Sequence, residues 1–235
     1  ERGNPIIQRQ IAAGRPCSYC EGGRLVYFDG RHRVDICSVE ELPMTLGGAA
    51  LHNLRNALAA IGVAFAMGYR AQEIATGLRA FQSDARDNPG RMNQFVLSNS
   101  ARIVVDFAHN EHGIDAIVGT VGRMPARRKW VLFGCAGDRS DTHMAAIAQG
   151  VCGIRPDQVI ITELEHYRRG REPGETGRIM KQAGLQSDIA EEAIHLADSP
   201  LEGVGFALQH MQPGDLGLFL VLTQRDEIFD LLERT

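Results

Sequence analysis

Asp106, His109 and Asn110 stand close together directly after the apolar run Ile103-Val104-Val105. A carboxylate there can accept from a ribose hydroxyl, and a helix that starts just beyond it turns backbone amides toward an anion. Open α/β sheets bind ligands outside the carboxyl ends of their strands, and the cluster stands where such an end is expected. His109 and Asn110 also have a plainer use, capping the helix that follows. Asn53 and Asn56 are spaced to share one helical face, and paired carboxamides both donate and accept, as the edge of adenine requires; two asparagines on a solvated face are the ordinary alternative. Gly90-Arg91 offers a planar guanidinium suited to a terminal phosphate, where solvent is the default for a lone arginine.

Gly134-Cys135-Ala136-Gly137-Asp138-Arg139 follows the apolar stretch Trp130 to Phe133 and precedes a helical pattern. Glycines after a strand let a backbone approach phosphate, but the G-x-G-x-x-G spacing is incomplete, so a dinucleotide site is not expected. Glu163 to Arg171 mixes acids and bases after the next strand. Such density usually marks a solvated loop, and its position keeps a substrate role open. Cys17, Cys20, His32 and Cys37 form C-x2-C-x11-H-x4-C, a spacing compatible with tetrahedral zinc. The same segment reads as a β-hairpin, so free thiols and no metal are expected.

The elements that must position these groups follow from periodicity. Arg24 to Phe28 and Arg33 to Ile36 read as strands joined by Asp29-Gly30, a hairpin signal. Leu51, Leu54, Leu58, Ile61 and Phe65 step by three and four, and Ile74, Leu78 and Phe81 mark a second helix. The polar stretch from Ser83 to Gly90 is the best linker. Beyond it, strands at 103–107, 130–133, 159–162 and 218–222 alternate with helices near 112–124, 141–152, 173–184, 201–211 and 225–234. This alternation predicts an α/β fold with a mostly parallel sheet covered on both faces.

The 235 residues are 44% hydrophobic with a formal net charge of −4, an ordinary globular composition. Acids outnumber bases, 29 to 25, which argues against a nucleic-acid surface. No apolar run approaches the roughly 20 residues that span a bilayer, and no secretory leader is evident, so a cytoplasmic location without a membrane partner is expected. Five cysteines, an odd count, argue against a disulfide framework. A chain that opens on Glu1 is expected to be processed, excised or partial. A homo-oligomer is left open.

Three segments resemble, in order, motifs of the Mur ligase family. His52-Asn53-Leu54-Arg55-Asn56-Ala57-Leu58-Ala59-Ala60 resembles its H-N-x-x-N-A-L-A-A helix, Asn88-Pro89-Gly90-Arg91-Met92-Asn93 its domain-joining G-R motif, and Asp106 to Asn110 its D-Y/F-A-H-N motif. Glu111 stands where relatives often carry proline. Asn4-Pro5, Leu42-Pro43-Met44-Thr45, Arg168-Arg169-Gly170-Arg171-Glu172-Pro173-Gly174-Glu175 and Pro213-Gly214-Asp215-Leu216 narrow the likeness to the Mur-ligase-like C-terminal half of cyanophycin synthetases, over essentially the whole chain. The resemblance implies that residues 1–88 are the C-terminal part of a central ATP-binding domain and residues 89–235 a Rossmann-like C-terminal domain. It implies ATP and Mg2+ as cofactors, with Asn53 and Asn56 at the adenine, Asp106 at the ribose, Arg91 at the terminal phosphate, and His109 and Asn110 beside them. It turns the loop of Asp138 and Arg139, and the loop of Arg168 and Arg171, toward the incoming amine substrate. The implied reaction activates a carboxylate as an acyl phosphate that an amine attacks, with the amino acid arginine joined to a polyaspartate-type acceptor.

The family's phosphate cradle, G-x-x-G-K-T/S, does not occur in this sequence, and Lys129 and Lys181 both lie in its C-terminal part. By itself the chain is therefore expected to be inactive, with the magnesium ligands largely outside it. Two other classes remain open: a Mur-like binding or regulatory protein without catalysis, and a zinc-stabilised structural module.

Overall fold

The computed structural model describes residues 1–45, 48 and 50–235, which divide into two compact units, Glu1–Ser83 and Asp84–Thr235. The first unit opens with α1 (Pro5–Ala12), a helix that buries no residue. It is specified by its start: the Asn4 side chain accepts from Ile6 N–H, and Pro5 occupies the first turn. Strands β1 (Cys17–Glu21), β2 (Arg24–Phe28) and β3 (Arg33–Ser38) form an antiparallel sheet in that order. The β2–β3 turn is the expected hairpin, closed by the Asp29 carboxylate, which accepts from Arg31 and His32 N–H. Helices α2 (Leu51–Ala66) and α3 (Ala71–Ala80) place Ala57, Ile61, Ile74 and Ala75 against Leu25, Ile36 and Cys37 to make the core.

The second unit alternates strands and helices. Its strands are β4 (Asn93–Val96), β5 (Arg102–Asp106), β6 (Lys129–Phe133), β7 (Gln158–Thr162), β8 (Ile194–Ala197) and β9 (Leu216–Leu220). They form one sheet in the order β4-β5-β9-β6-β7-β8, in which β4 pairs antiparallel with β5 and the other pairings are parallel. Helices α4 (Glu111–Val121), α5 (Asp141–Cys152) and α6 (Glu175–Gln186) pack side by side, and α7 (Pro200–His210) packs with α8 (Arg225–Glu233). Strands β5, β6, β7 and β9 are buried almost end to end, as parallel strands covered on both faces must be. Alternate residues divide the faces: Ile103, Val105, Trp130, Leu132 and Phe219 pack with Val204, Ala207, Ile228 and Leu232 of α7 and α8. The predicted α/β class and mostly parallel sheet hold; β4 and β8, the short edge strands, were not foreseen.

The chain leaves β5 through α4 and passes over one strand position to reach β6, and β9 later fills that gap. The carboxyl ends of β5, β9 and β6 therefore lie side by side. At the opposite end of the sheet the fully buried Asp215 accepts from the Arg128 guanidinium at 2.5 Å, from Trp130 Nε1 at 3.1 Å and from Gln212 N–H at 2.9 Å. Burial pushes this carboxyl up, but Arg128 and the two N–H donors outweigh it and hold the group below the usual carboxylate range. Among the described residues, no helix is long and apolar enough to cross a membrane.

Candidate functional site

Asp106 ends β5 with only 6% of its surface accessible. One carboxylate oxygen accepts from Met92 N–H at 3.0 Å and the other from Ala108 N–H at 2.8 Å. The first bond fastens the Gly90–Asn93 turn to the start of the Phe107–Asn110 turn, joining two segments that are separate in sequence. Inside the first turn Asn93, 1% exposed, accepts from Gly90 N–H at 2.6 Å and donates to the Asn88 carbonyl at 3.0 Å. Gly90 lies at φ +76°, open to glycine, and Met92 at +56°. A left-handed side-chain residue costs about 1–2 kcal/mol, so the Asp106 bond holds Met92 in a strained state. Asn93 was not singled out from the sequence, although it closes the N-P-G-R-M-N string.

The exposed residues of the two turns meet. The Arg91 guanidinium lies 5.5 Å from the centroid of the Phe107 ring, and His109 sits edge-on to the same ring at 5.3 Å. His109 Nδ1 is 3.0 Å from the Phe107 carbonyl oxygen. Asn110 is the N-cap of α4, its side chain accepting from Gly113 N–H at 2.9 Å. Arg91 and His109 thus flank Phe107, whereas Asp106 and Asn110 hold backbone.

After β6, Asp138 and Arg139 are exposed. Gly137 is forced to be glycine by close approach: a Cβ there would lie 1.9 Å from the Arg168 carbonyl oxygen. In the loop after β7, Arg168 lies 3.5 Å from Glu163 and 3.2 Å from Glu165. Arg171 donates to the Gly137 carbonyl at 3.2 Å and the Arg139 carbonyl at 3.0 Å. It also pairs with Glu175 at 2.6 Å and Asp141 at 2.7 Å. The hydrogen bond from Arg171 holds the Glu175 carboxyl below the usual range. Two cavities open along this edge and share Phe107 and Leu222. One, of about 150 Å³, is lined by Phe107, Leu164, Tyr167 and Leu222 together with His109 and Arg139. The other, of about 560 Å³, includes Glu163, Glu165, Asp198, Asp226 and Glu227 in its lining.

In the first unit Asn53 is 6% exposed and donates to the Met44 carbonyl at 2.8 Å, which ties α2 to the turn at Pro43–Thr45. Asn56 is exposed on the same helix, so the two amides do not present themselves equally. Cys17 and Cys20 lie on β1, Cys37 on β3 and His32 in the hairpin turn; an odd spacing along β1 turns the first two thiols to opposite faces. Among the described residues, no three His, Cys, Asp or Glu side chains come together as a metal-binding group. Burial pushes the thiols of Cys135 and Cys152 up to about 11.

The second unit is an open α/β sheet with one antiparallel edge strand, and its polar loops gather at the carboxyl ends of the parallel strands, where α/β domains of this class bind ligands. The family description "Mur ligase, glutamate ligase domain" matches residues 90–220, and the chain belongs to the Mur ligase family. The cyanophycin synthetase of Synechocystis sp. is 33% identical over 185 residues, covering 79% of this chain and 21% of that protein. That of Crocosphaera subtropica is 30% identical over 213 residues, covering 91% of this chain and 24% of that protein. The chain thus spans about a fifth to a quarter of the length of these relatives. Among solved structures, E. coli FolC in complex with ADP shares the fold with a TM-score of 0.64 at 16% identity, over 92% of this chain and 46% of that one.

Proposed function

We propose that this chain forms part of an ATP-dependent ligase that joins an amine to a carboxylate, of the cyanophycin-synthetase type in which arginine is added to a polyaspartate acceptor. The observation that carries the reading is the Asp106 carboxylate, which clasps Met92 and Ala108 N–H and brings two family motifs onto one spot. In the second unit Arg91 presents planar donors to a terminal phosphate, the Asp106 carboxylate serves a ribose, and His109 and the Asn110-capped start of α4 stand beside them. The loop of Asp138 and Arg139 receives the amine. In the first unit Asn56, with the remaining oxygen of Asn53, serves the adenine. Bound ATP would supply the phosphoryl group that activates the carboxylate. The described residues offer no three-ligand set for Mg2+, so no step is assigned through it here.

The sequence lacks G-x-x-G-K-T/S, so the chain by itself lacks the charge clamp on the β and γ phosphates and turns over no ATP. Adenine and ribose contacts do not need that clamp. Adenosine and ADP should therefore bind with similar, roughly millimolar affinity, about 4 kcal/mol, by ligand-observed NMR. Asp106→Ala should weaken both. With magnesium, arginine and an aspartate-rich acceptor, phosphate release should stay at the blank. Robust turnover by this chain that Arg91→Ala abolishes, or nucleotide binding indifferent to Asp106, Asn53 and Asn56, would overturn the assignment.

A further inference from the structure

The loops after β6 and β7 are tied directly to one another. All the Arg171 contacts are internal: carbonyls of Gly137 and Arg139 in the first loop, Asp141 at the start of α5 and Glu175 at the start of α6. A second tie lies beside it, where Gly137 N–H donates to the Tyr167 carbonyl at 2.8 Å and the bare Gly137 Cα rests against the Arg168 backbone. Glu163 closes the base of the second loop by accepting from Gly174 N–H at 2.8 Å. Arg139 from one loop and Tyr167 from the other then both line the smaller cavity. The Arg91–Phe107 side is built separately, by Asp106 and Asn93, and no bond from Arg171 reaches it.

We propose that Arg171 is a positioning residue that fixes these two loops as one wall of the smaller cavity, so that the fit of the amine substrate depends on a side chain that does not touch it. The inference rests on the ligase reading of the site. A planar fork that bridges two carbonyls and two carboxylates has no equivalent in an ammonium group, so lysine preserves the charge without preserving the bridge.

The test has two arms. In the 235-residue chain, hydrogen exchange of segments 134–139 and 163–174 should rise together by about tenfold or more in Arg171→Ala and Arg171→Lys, with β6 and β7 unchanged. In the full-length polypeptide, both variants should raise the KM for the amine by about tenfold while the KM for ATP stays within about twofold. Gly137→Ala, whose Cβ would meet both the Arg168 backbone and the Arg171 side chain and so part the loops while keeping the guanidinium in the chain, should reproduce that split. If Arg171→Ala fails to fold, Arg171→Lys, which keeps a cation beside Asp141 and Glu175, decides both arms. Unchanged exchange in the two loops, equal rises in both KM values, or full rescue by lysine would each overturn the proposal. Absence of nucleotide binding by the unmodified chain would sink the ligase reading instead, and the exchange arm would still decide whether the two loops are joined.

Discussion

Asp106→Asn tests whether this carboxylate holds the site or only faces a ligand. Its two oxygens accept from two backbone donors, Met92 N–H at 3.0 Å and Ala108 N–H at 2.8 Å. A carboxamide has one oxygen, so in either orientation its NH2 group opposes one of those donors. Leaving a buried donor unsatisfied costs about 1–3 kcal/mol, and losing the charge on the surviving bond removes about 1 kcal/mol more. Opening of the turn would let Met92 leave its left-handed conformation and recover about 1–2 kcal/mol. The net loss is then about 2 kcal/mol. For a unit the size of Asp84–Thr235, this lowers the melting temperature by about 4–8 °C. Circular dichroism melts and urea titrations read the global effect, and amide exchange at Met92 and Ala108 reads the local one. A carboxylate whose only task was to meet a ribose would leave both unchanged and alter nucleotide binding alone. Melting within about 1 °C of the unmodified chain, with both amides still protected, would refute the reasoning.

Arg128→Ala strands the buried Asp215 carboxylate and should cost about 3 kcal/mol at pH 7 in urea titrations. Because the Asp215 pKa is held below its unfolded value, the contribution is complete above the unfolded pKa of about 3.9 and is lost as pH falls through the folded value; the two titration curves should converge there, and a gap that persists would contradict the assignment. Cys135 and Cys152, with thiols pushed up to about 11 by burial, should resist alkylation by iodoacetamide at pH 8 in the folded chain and react fully in urea. Mass spectrometry checks this, and labelling of either at the rate of a free thiol would show that the site is open.

Periodicity exposed the buried part of the fold and little else. β5, β6, β7 and β9 are continuous apolar runs because both their faces are covered. The apolar stripe of α2 marks the helix although only Ile61 of it is buried, Leu54, Leu58 and Phe65 being partly buried and Leu51 exposed. β4 (Asn-Gln-Phe-Val) and β8 (Ile-His-Leu-Ala) lie at sheet edges, where four residues with a mixed burial pattern carry too little alternation to stand out. α1 has no fully buried residue, and of its apolar side chains only Ile7 and Ile11 are half-buried, so its hydrophobic signal is weak and the clearer one is Asn4-Pro5, a cap followed by proline. The insertion of β9 between β5 and β6 is invisible to any local pattern, because strand order is set by how the helices cover the sheet.

In the candidate site, motif strings point to turns that the structure brings together, without separating the exposed residues from those that hold the loop. The separation becomes visible in the alternation along the turn. Asp106 and Ala108 are buried, and the carboxylate accepts from the Ala108 amide, while Phe107 and His109 between and after them are exposed. The same division recurs in the G-R turn, where Asn93 is buried on Gly90 and Asn88 and Arg91 faces outward, and across the β6 and β7 loops, where Arg171 is internal and Arg139 lines a cavity. A loop of this kind needs both sorts of residue, because an exposed side chain on a turn with left-handed residues keeps a fixed aim only while buried partners hold the backbone beneath it. Charged residue types therefore overstate the ligand-facing set: a carboxylate or guanidinium is also the strongest available anchor for backbone N–H and C=O groups.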